Sequence, residues 1–235
     1  AFPLANTAYT YTNFLKAVAK FPAFCNDWGL FDAETTCQRE LATLFAHLTL
    51  ASNMDLYTSG TDLSTQGLYF LREQYCADNP ENQSFCAMKS GGWAEDFWPS
   101  FESARYYARG PFRMTWNQVY GQFSNVMGES TYSSKLRFLE NPDLVHEDGY
   151  NALASALWFY MTPEDPKPSM HDVMTGFYEP NGIDSDNGIV AGSFCTTVQV
   201  LAQNSWAGGG QSASNKSLLA QFFNKWLAFF DLEEE

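Results

Sequence analysis

The stretch Gly149–Met161 (GYNALASALWFYM) limits the fold most strongly. Leu153, Ala156, Leu157 and Tyr160 recur at helical spacing on one face, and Pro163, Pro166 and Pro168 follow, where a helix cannot continue. A helix of this kind has to bury its apolar face against other elements. The same periodicity returns along the chain. Phe14, Leu15, Val18 and Ala19 predict a helix over Tyr11–Phe21, stopped by Pro22. Leu41, Leu44, Phe45 and Leu48 predict one from about Cys37 to Leu50, capped by Thr35 or Thr36. Further helices are expected from about Thr115 to Met127, from His171 to Thr175 and over Ser217–Leu232, with Phe194–Gln203 helical or buried. The last helix carries Phe222, Phe223, Trp226, Phe229 and Phe230, read as core. Turn-rich stretches separate these segments, including a long one over 77–104 that holds Trp93, Phe97 and Trp98. Those three aromatics are read as packed over the core, with a cleft lining as the alternative. No repeat or low-complexity linker divides residues 1–235, which read as one mainly α domain with two lobes around a cleft.

Composition narrows the class. Hydrophobic residues make up 45% and aromatics 17%, a globular balance. A net charge of −14 argues against nucleic acid, whose phosphates must be met by Lys and Arg. No apolar run approaches the roughly 18–20 residues of a membrane span. The three histidines are far apart and no Cys/His spacing resembles a zinc site, so neither a metal nor a cofactor is expected. Two sequons (Asn82-Gln83-Ser84 and Asn215-Lys216-Ser217), five cysteines and a start at Ala1 without Met read as a secreted, extracellular protein.

Cysteine spacing leaves the pairing open. Cys25 and Cys37 flank one short loop and Cys76 and Cys86 another, so two local bridges would leave Cys195 single. Cys195 is then read as a buried thiol, the alternative being an intermolecular bridge or a reactive thiol. A homo-oligomer built through Cys195 or the C-terminal helix stays open.

Four segments in order carry a resemblance. They are Tyr9-Thr10-Tyr11 with Phe21-Pro22-Ala23-Phe24, the helix Leu44–Asn53 (LFAHLTLASN), the run Tyr106–Asn117 (YYARGPFRMTWN), and Ala156–Thr162 followed by Pro166–His171. Together they resemble family 19 glycoside hydrolases, the plant and bacterial chitinases of bilobal, lysozyme-like fold. The resemblance covers about Tyr9 to Phe230. It implies inverting hydrolysis of β-1,4-linked N-acetylglucosamine, which needs an acid carboxyl on one side of the scissile bond and a base carboxylate on the other. The family helix ends in His-Glu-Thr-Thr, and its acidic position falls on Ala51. The base position falls on Glu73, at the family's spacing without a gap.

A methyl group cannot donate a proton, so the resemblance implies an inactive chitinase-like protein. Other positions depart with it: Arg113 stands where the family has Gln, Ala108 replaces a Gly, and Trp206 replaces the acidic member of a late segment. Thr115 keeps the Ser/Thr that helps place the water. Candidate binding residues are Thr115, Asn117, Tyr107, Arg109, Trp116, Lys167, Gln199 and Trp206, with Tyr107, Arg109 and Asn117 also readable as supports and Lys167 as a surface lysine. Trp93 and Trp98 are further stacking candidates for sugar rings. Glu73 has a second reading, as a carboxylate paired with Arg72 or Arg109 for structure. Asp55, four residues after Ala51, is the candidate replacement acid. The leading expectation is binding of chitin or a chito-oligosaccharide without turnover. The alternatives are an acidic structural or matrix protein, a carrier of an apolar ligand or pigment, and an active chitinase with a relocated acid.

Overall fold

The computed structural model describes residues 4–53, 62–63, 66–82, 86–128, 136–201 and 213–233. Among these, the helices are α1 (Tyr11–Lys20), α2 (Ala33–Ala51), α3 (Gln74–Asp78), α4 (Trp93–Phe97), α5 (Asn117–Met127), α6 (Arg137–Glu140), α7 (Leu144–Glu147), α8 (Gly149–Met161), α9 (Met170–Thr175), α10 (Gly182–Asp186), α11 (Phe194–Val200) and α12 (Ala213–Phe229). Strand pairing among the described residues is confined to isolated bridges, Arg72 with Arg109, Arg109 with Met114 and Glu164 with Lys167. The mainly helical expectation therefore holds. No helix among the described residues is long and apolar enough to cross a membrane.

Two packed regions share α2. Leu44 and Leu48 join Ala17, Tyr106, Phe123 and Leu157 in a core around α8. Ala42 and Ala46 turn the other way, to Met174, Phe194, Val198, Phe222 and Phe223. Helix α8 is buried on nearly every side, from Gly149 to Trp158, as expected of a helix that is apolar all round. Its first residue is necessarily glycine, because a Cβ there would run into the Ala8 carbonyl.

Helix α2 begins a turn earlier than the apolar stripe implies. Its cap is Asp32 rather than Thr35 or Thr36, and the Asp32 carboxylate accepts from Glu34 N at 3.1 Å and Thr35 N at 3.0 Å. Ala33 and Glu34 open the helix in solvent and the turn leaves no apolar stripe, while a carboxylate on two free N–H groups is a strong helix start. Inside the fold, α2 is tied to α9 by a charged contact: His171 Nδ1 lies 2.6 Å from Glu40 Oε1, and Glu40 Oε2 accepts from Cys25 N at 2.9 Å. Burial opposes a charge on His171, but Glu40 with Asp172 and Asp27 outweighs it and holds its pKa above the ordinary value. His47 is the opposite case. It sits wholly buried against Phe194, 2.9 Å from Thr197 Oγ1, and burial drives its pKa down to about 3.

The local cysteine pairing is realised in bridges Cys25–Cys37 and Cys76–Cys86. Three expectations are corrected. Cys195 is exposed rather than buried, because α11 turns Phe194, Thr196, Thr197 and Val198 inward and leaves Cys195 on its outer side. Trp93 and Phe97 do not cover the core: they form an exposed edge-to-face pair on α4, and of the three aromatics Trp98 alone packs inward. In the C-terminal stripe, Phe222 and Phe223 are core, but Phe229 lies on the outer face at 70% exposure.

Candidate active-site cleft

The end of α2 anchors the cleft. Ser52 caps the helix, its hydroxyl donating to Leu48 O while accepting from Leu68 N at 2.8 Å. The Ser52 carbonyl accepts from both Tyr69 N and Phe70 N at 2.9 Å. These bonds stitch residues 68–70 to the helix that ends at Ala51. The chain then pairs briefly with the Tyr106–Asn117 segment: Gly110 N donates to Leu71 O at 2.9 Å and Glu73 N to Ala108 O at 2.8 Å. Glu73 caps α3, with Oε1 accepting from Tyr75 N at 3.4 Å.

Arg109–Met114 closes on itself as a tight turn, with Arg113 N donating to Gly110 O and Met114 N to Arg109 O. Gly110 adopts φ +73°, and a Cβ there would lie 2.5 Å from Ser155 Oγ, so only glycine fits. Arg113 follows at φ +57°, a left-handed conformation costing a non-glycine residue about 1–2 kcal/mol. This turn aims Arg113 back at α2. Its Nε donates to Ala51 O at 3.0 Å, and its guanidinium lies over the Phe70 ring at 4.2 Å.

These elements enclose a cleft of about 870 Å³, walled by Leu4–Thr7, Asn53, Tyr69–Gln74, Arg113 and His146. Arg72 donates from Nη1 to His146 Nε2 at 2.9 Å, which places the imidazole proton on Nδ1. Burial, with Arg109 and Arg72 adding to it against Asp143, holds the His146 pKa down to about 4. His146 is therefore neutral near pH 7 and leaves the Arg72 charge uncancelled. Neither Arg72 nor Glu73 behaves as the structural pairing requires: Arg109 pairs with Asp143, Arg72 with His146, and Glu73 has no ion pair among the described residues.

The other expected site residues separate by location. Arg109 is 2% exposed, and its guanidinium reaches Asp143 Oδ1 at 2.6 Å, Arg105 O at 2.8 Å and Tyr120 Oη at 3.0 Å, stacked on Tyr107 at 3.6 Å. Tyr107 also packs on the Cys76–Cys86 bridge. Asn117 is fully buried and holds the 90–98 loop, accepting from Ser90 N at 2.6 Å and donating to Trp98 O at 2.6 Å and Glu95 Oε2 at 3.1 Å. Thr115 is half-buried, and Trp116 is 43% exposed at the start of α5. Lys167 lies 3.1 Å from Glu164, and Gln199 is half-buried on α11 with a buried Oε1. Of the expected set, Glu73 alone stands among the cleft residues just named. Trp206 and Asp55 lie outside the described residues. Arg72, Arg113, His146 and Tyr69 are cleft residues that the sequence did not mark as a site; the visible signal was Arg113 at the position of a family Gln.

Residues 3–232 match the family model of class I chitinases, glycosyl hydrolase family 19. The chain is 36% identical over 186 residues to inactive chitinase-like protein 2 of Hevea brasiliensis, covering 78% of this chain and 47% of that protein. It is 31% identical over 224 residues to endochitinase A2 of Pisum sativum, covering 95% of this chain and 61% of that protein. The chain thus spans about half the length of the curated relatives it matches. In fold it superposes on chitinase C from Streptomyces griseus HUT6037 with a TM-score of 0.68 at 21% identity, covering 99% of this chain and 74% of that one. With its helices arranged about the cleft in the lysozyme-like manner of that structure, the chain belongs to glycosyl hydrolase family 19, the family of the class I chitinases.

Proposed function

We propose that the cleft is a glycan-binding site that no longer hydrolyses, in a protein secreted by its source. One observation carries the reading: the position matching the family's acid is Ala51, and the group beside it is the Arg113 guanidinium, bonded to the Ala51 carbonyl. Inverting hydrolysis requires a proton donor on one face of the bond and a carboxylate base on the other. Glu73 fits the second role by position and is half-exposed in the cleft. A methyl group fills the first, and a guanidinium holds its protons far too tightly to donate them. Two relatives bearing the name inactive chitinase-like protein support the same reading.

Sugar binding survives this loss in physical terms. Tyr69, 46% exposed in the cleft wall, offers a ring face to a pyranose, and Asn6 through Nδ2 and Gln74 through Oε1 keep amide atoms for its hydroxyls while their other ends bond Ala8 N and Asp78. The charged lining of Arg72, Glu73 and Arg113 weighs against an apolar ligand or pigment. Two disulfides support folding in an oxidising, secretory compartment. Calorimetric binding and chromatographic hydrolysis of chitin hexaose on one sample test the proposal. Binding without turnover supports it; turnover, with Asp55 the first acid to examine, would sink it.

A further inference from the structure

The cleft carries more positive charge than the rest of the molecule would suggest. The chain has 13 Lys and Arg against 27 Asp and Glu, yet two of those arginines line one cleft without a carboxylate partner among the described residues. Arg72 spends one donor on neutral His146, and Arg113 spends one on Ala51 O and lays its face on Phe70. Each keeps further N–H donors for a ligand, because a guanidinium has five in a fixed fork. Glu73 is the one carboxylate among the described lining residues, and its Oε1 is engaged by Tyr75 N at the start of α3. With His146 neutral, Arg72 and Arg113 against Glu73 leave a net positive charge among the described lining residues.

We infer that the cleft selects an acidic glycan, a linear oligosaccharide bearing carboxylate or sulfate groups, over neutral chitin. The inference rests on the reading that the cleft holds a glycan, and it names the chemistry that the remodelled lining recognises. A sugar ring lies on Tyr69, and its anionic substituents take the free N–H groups of Arg113 and Arg72 in bidentate bonds. Guanidinium–carboxylate and guanidinium–sulfate pairs are the strong, planar, charge-assisted kind. Neutral N-acetylglucosamine gives those donors only hydroxyl and amide acceptors, about half as strong. The left-handed backbone at Arg113 fits this use, since the strain of the turn is what points the guanidinium into the cleft.

Calorimetry on the full chain decides it, with three hexasaccharides as probes: chitin hexaose, hexagalacturonate for carboxylate, and O-sulfated chitin hexaose for sulfate. At least one anionic hexamer is expected to bind about tenfold or more tightly than chitin hexaose, and which one identifies the group. Arg113→Gln and Arg72→Gln should each reduce that preference by about fivefold or more, while Lys16→Gln on exposed α1, an equal change in net charge, should leave it unchanged. Circular dichroism melting of each variant shows that the fold is retained. Chitin hexaose binding as tightly as both anionic hexamers would overturn the acidic preference and leave the glycan reading standing. Binding by none of the three would overturn both. An anionic preference that survives both arginine substitutions would place recognition elsewhere and overturn the assignment to these residues.

Discussion

Returning a carboxyl to position 51 should not by itself return a general acid. The Ala51 carbonyl already accepts from Arg113 Nε at 3.0 Å, so the introduced side chain starts within reach of a fixed cation. An opposite charge at that range lowers a carboxyl pKa by roughly 1–3 units, and the exposure of Arg113 argues for the lower end. Starting from about 4.3, one unit leaves the acid near 3.3, where about one carboxyl in 500 is protonated at about pH 6. An acid tuned to about 6 would be half protonated there, so the arginine withholds about 250-fold in active form, or about 3 kcal/mol. Ala51→Glu alone is therefore expected to show a carboxyl titrating below about 4. The double variant Ala51→Glu/Arg113→Gln should titrate at least about one unit higher. Carbon-13 NMR titration of the labelled carboxyl reads this directly, and hydrolysis of chitin hexaose by both variants gives the kinetic counterpart. The reasoning fails if the two carboxyls titrate together, or if the single variant turns over the sugar as fast as the double.

The buried histidines give stability opposite pH dependences. His47, held down to about 3, binds protons in the unfolded chain first, so stability should fall as pH drops below the ordinary 6.5, by about 3 kcal/mol at about pH 4.5. Urea melts of His47→Gln against the parent should show that acid slope removed. His171, held above its ordinary value, stabilises fully below about 6.5 and loses that contribution as pH rises through its folded value, so His171→Asn should flatten the decline on the alkaline side. Cys76→Ala/Cys86→Ala opens a short loop and should cost about 3 kcal/mol in thermal unfolding; an unchanged melting temperature would show that Tyr107 packing holds α3 without the bridge. Gly149→Ala forces α8 away from the Ala8 carbonyl and should lower the melting temperature even though alanine favours helix.

Periodicity made α8 legible almost to the residue, because every turn of that helix is buried and its end is written in prolines. The start of α2 was illegible for the opposite reason: its first residues, Ala33 and Glu34, face water, and the deciding group is one carboxylate on two N–H donors. Cysteine spacing pointed to the two bridges, but not to which side of α11 Cys195 would take. For the cleft, the family positions of Ala51 and Glu73 could be read along the chain. The cationic lining could not, since Arg113 meets Ala51 across 62 positions and Arg72 meets His146 across 74. Nor did the signature run reveal side-chain direction. Tyr107, Arg109 and Asn117 stand beside residues that reach the cleft, yet Tyr107 is buried on the Cys76–Cys86 bridge and the side-chain polar atoms of Arg109 and Asn117 are spent inside the protein.

The buried node at Arg109 bears on how such chains diverge. Its guanidinium binds Asp143, the Arg105 and Tyr107 carbonyls and the Tyr120 hydroxyl, so replacing it would strand several buried polar groups at once. That penalty falls on folding and is indifferent to whether any sugar is ever cut. A chain released from hydrolysis is free to carry alanine at the half-buried end of a helix, but it stays bound to the arginine beneath. The stretch from Tyr106 to Asn117 is thereby held by the demands of assembly, whatever becomes of the chemistry beside it.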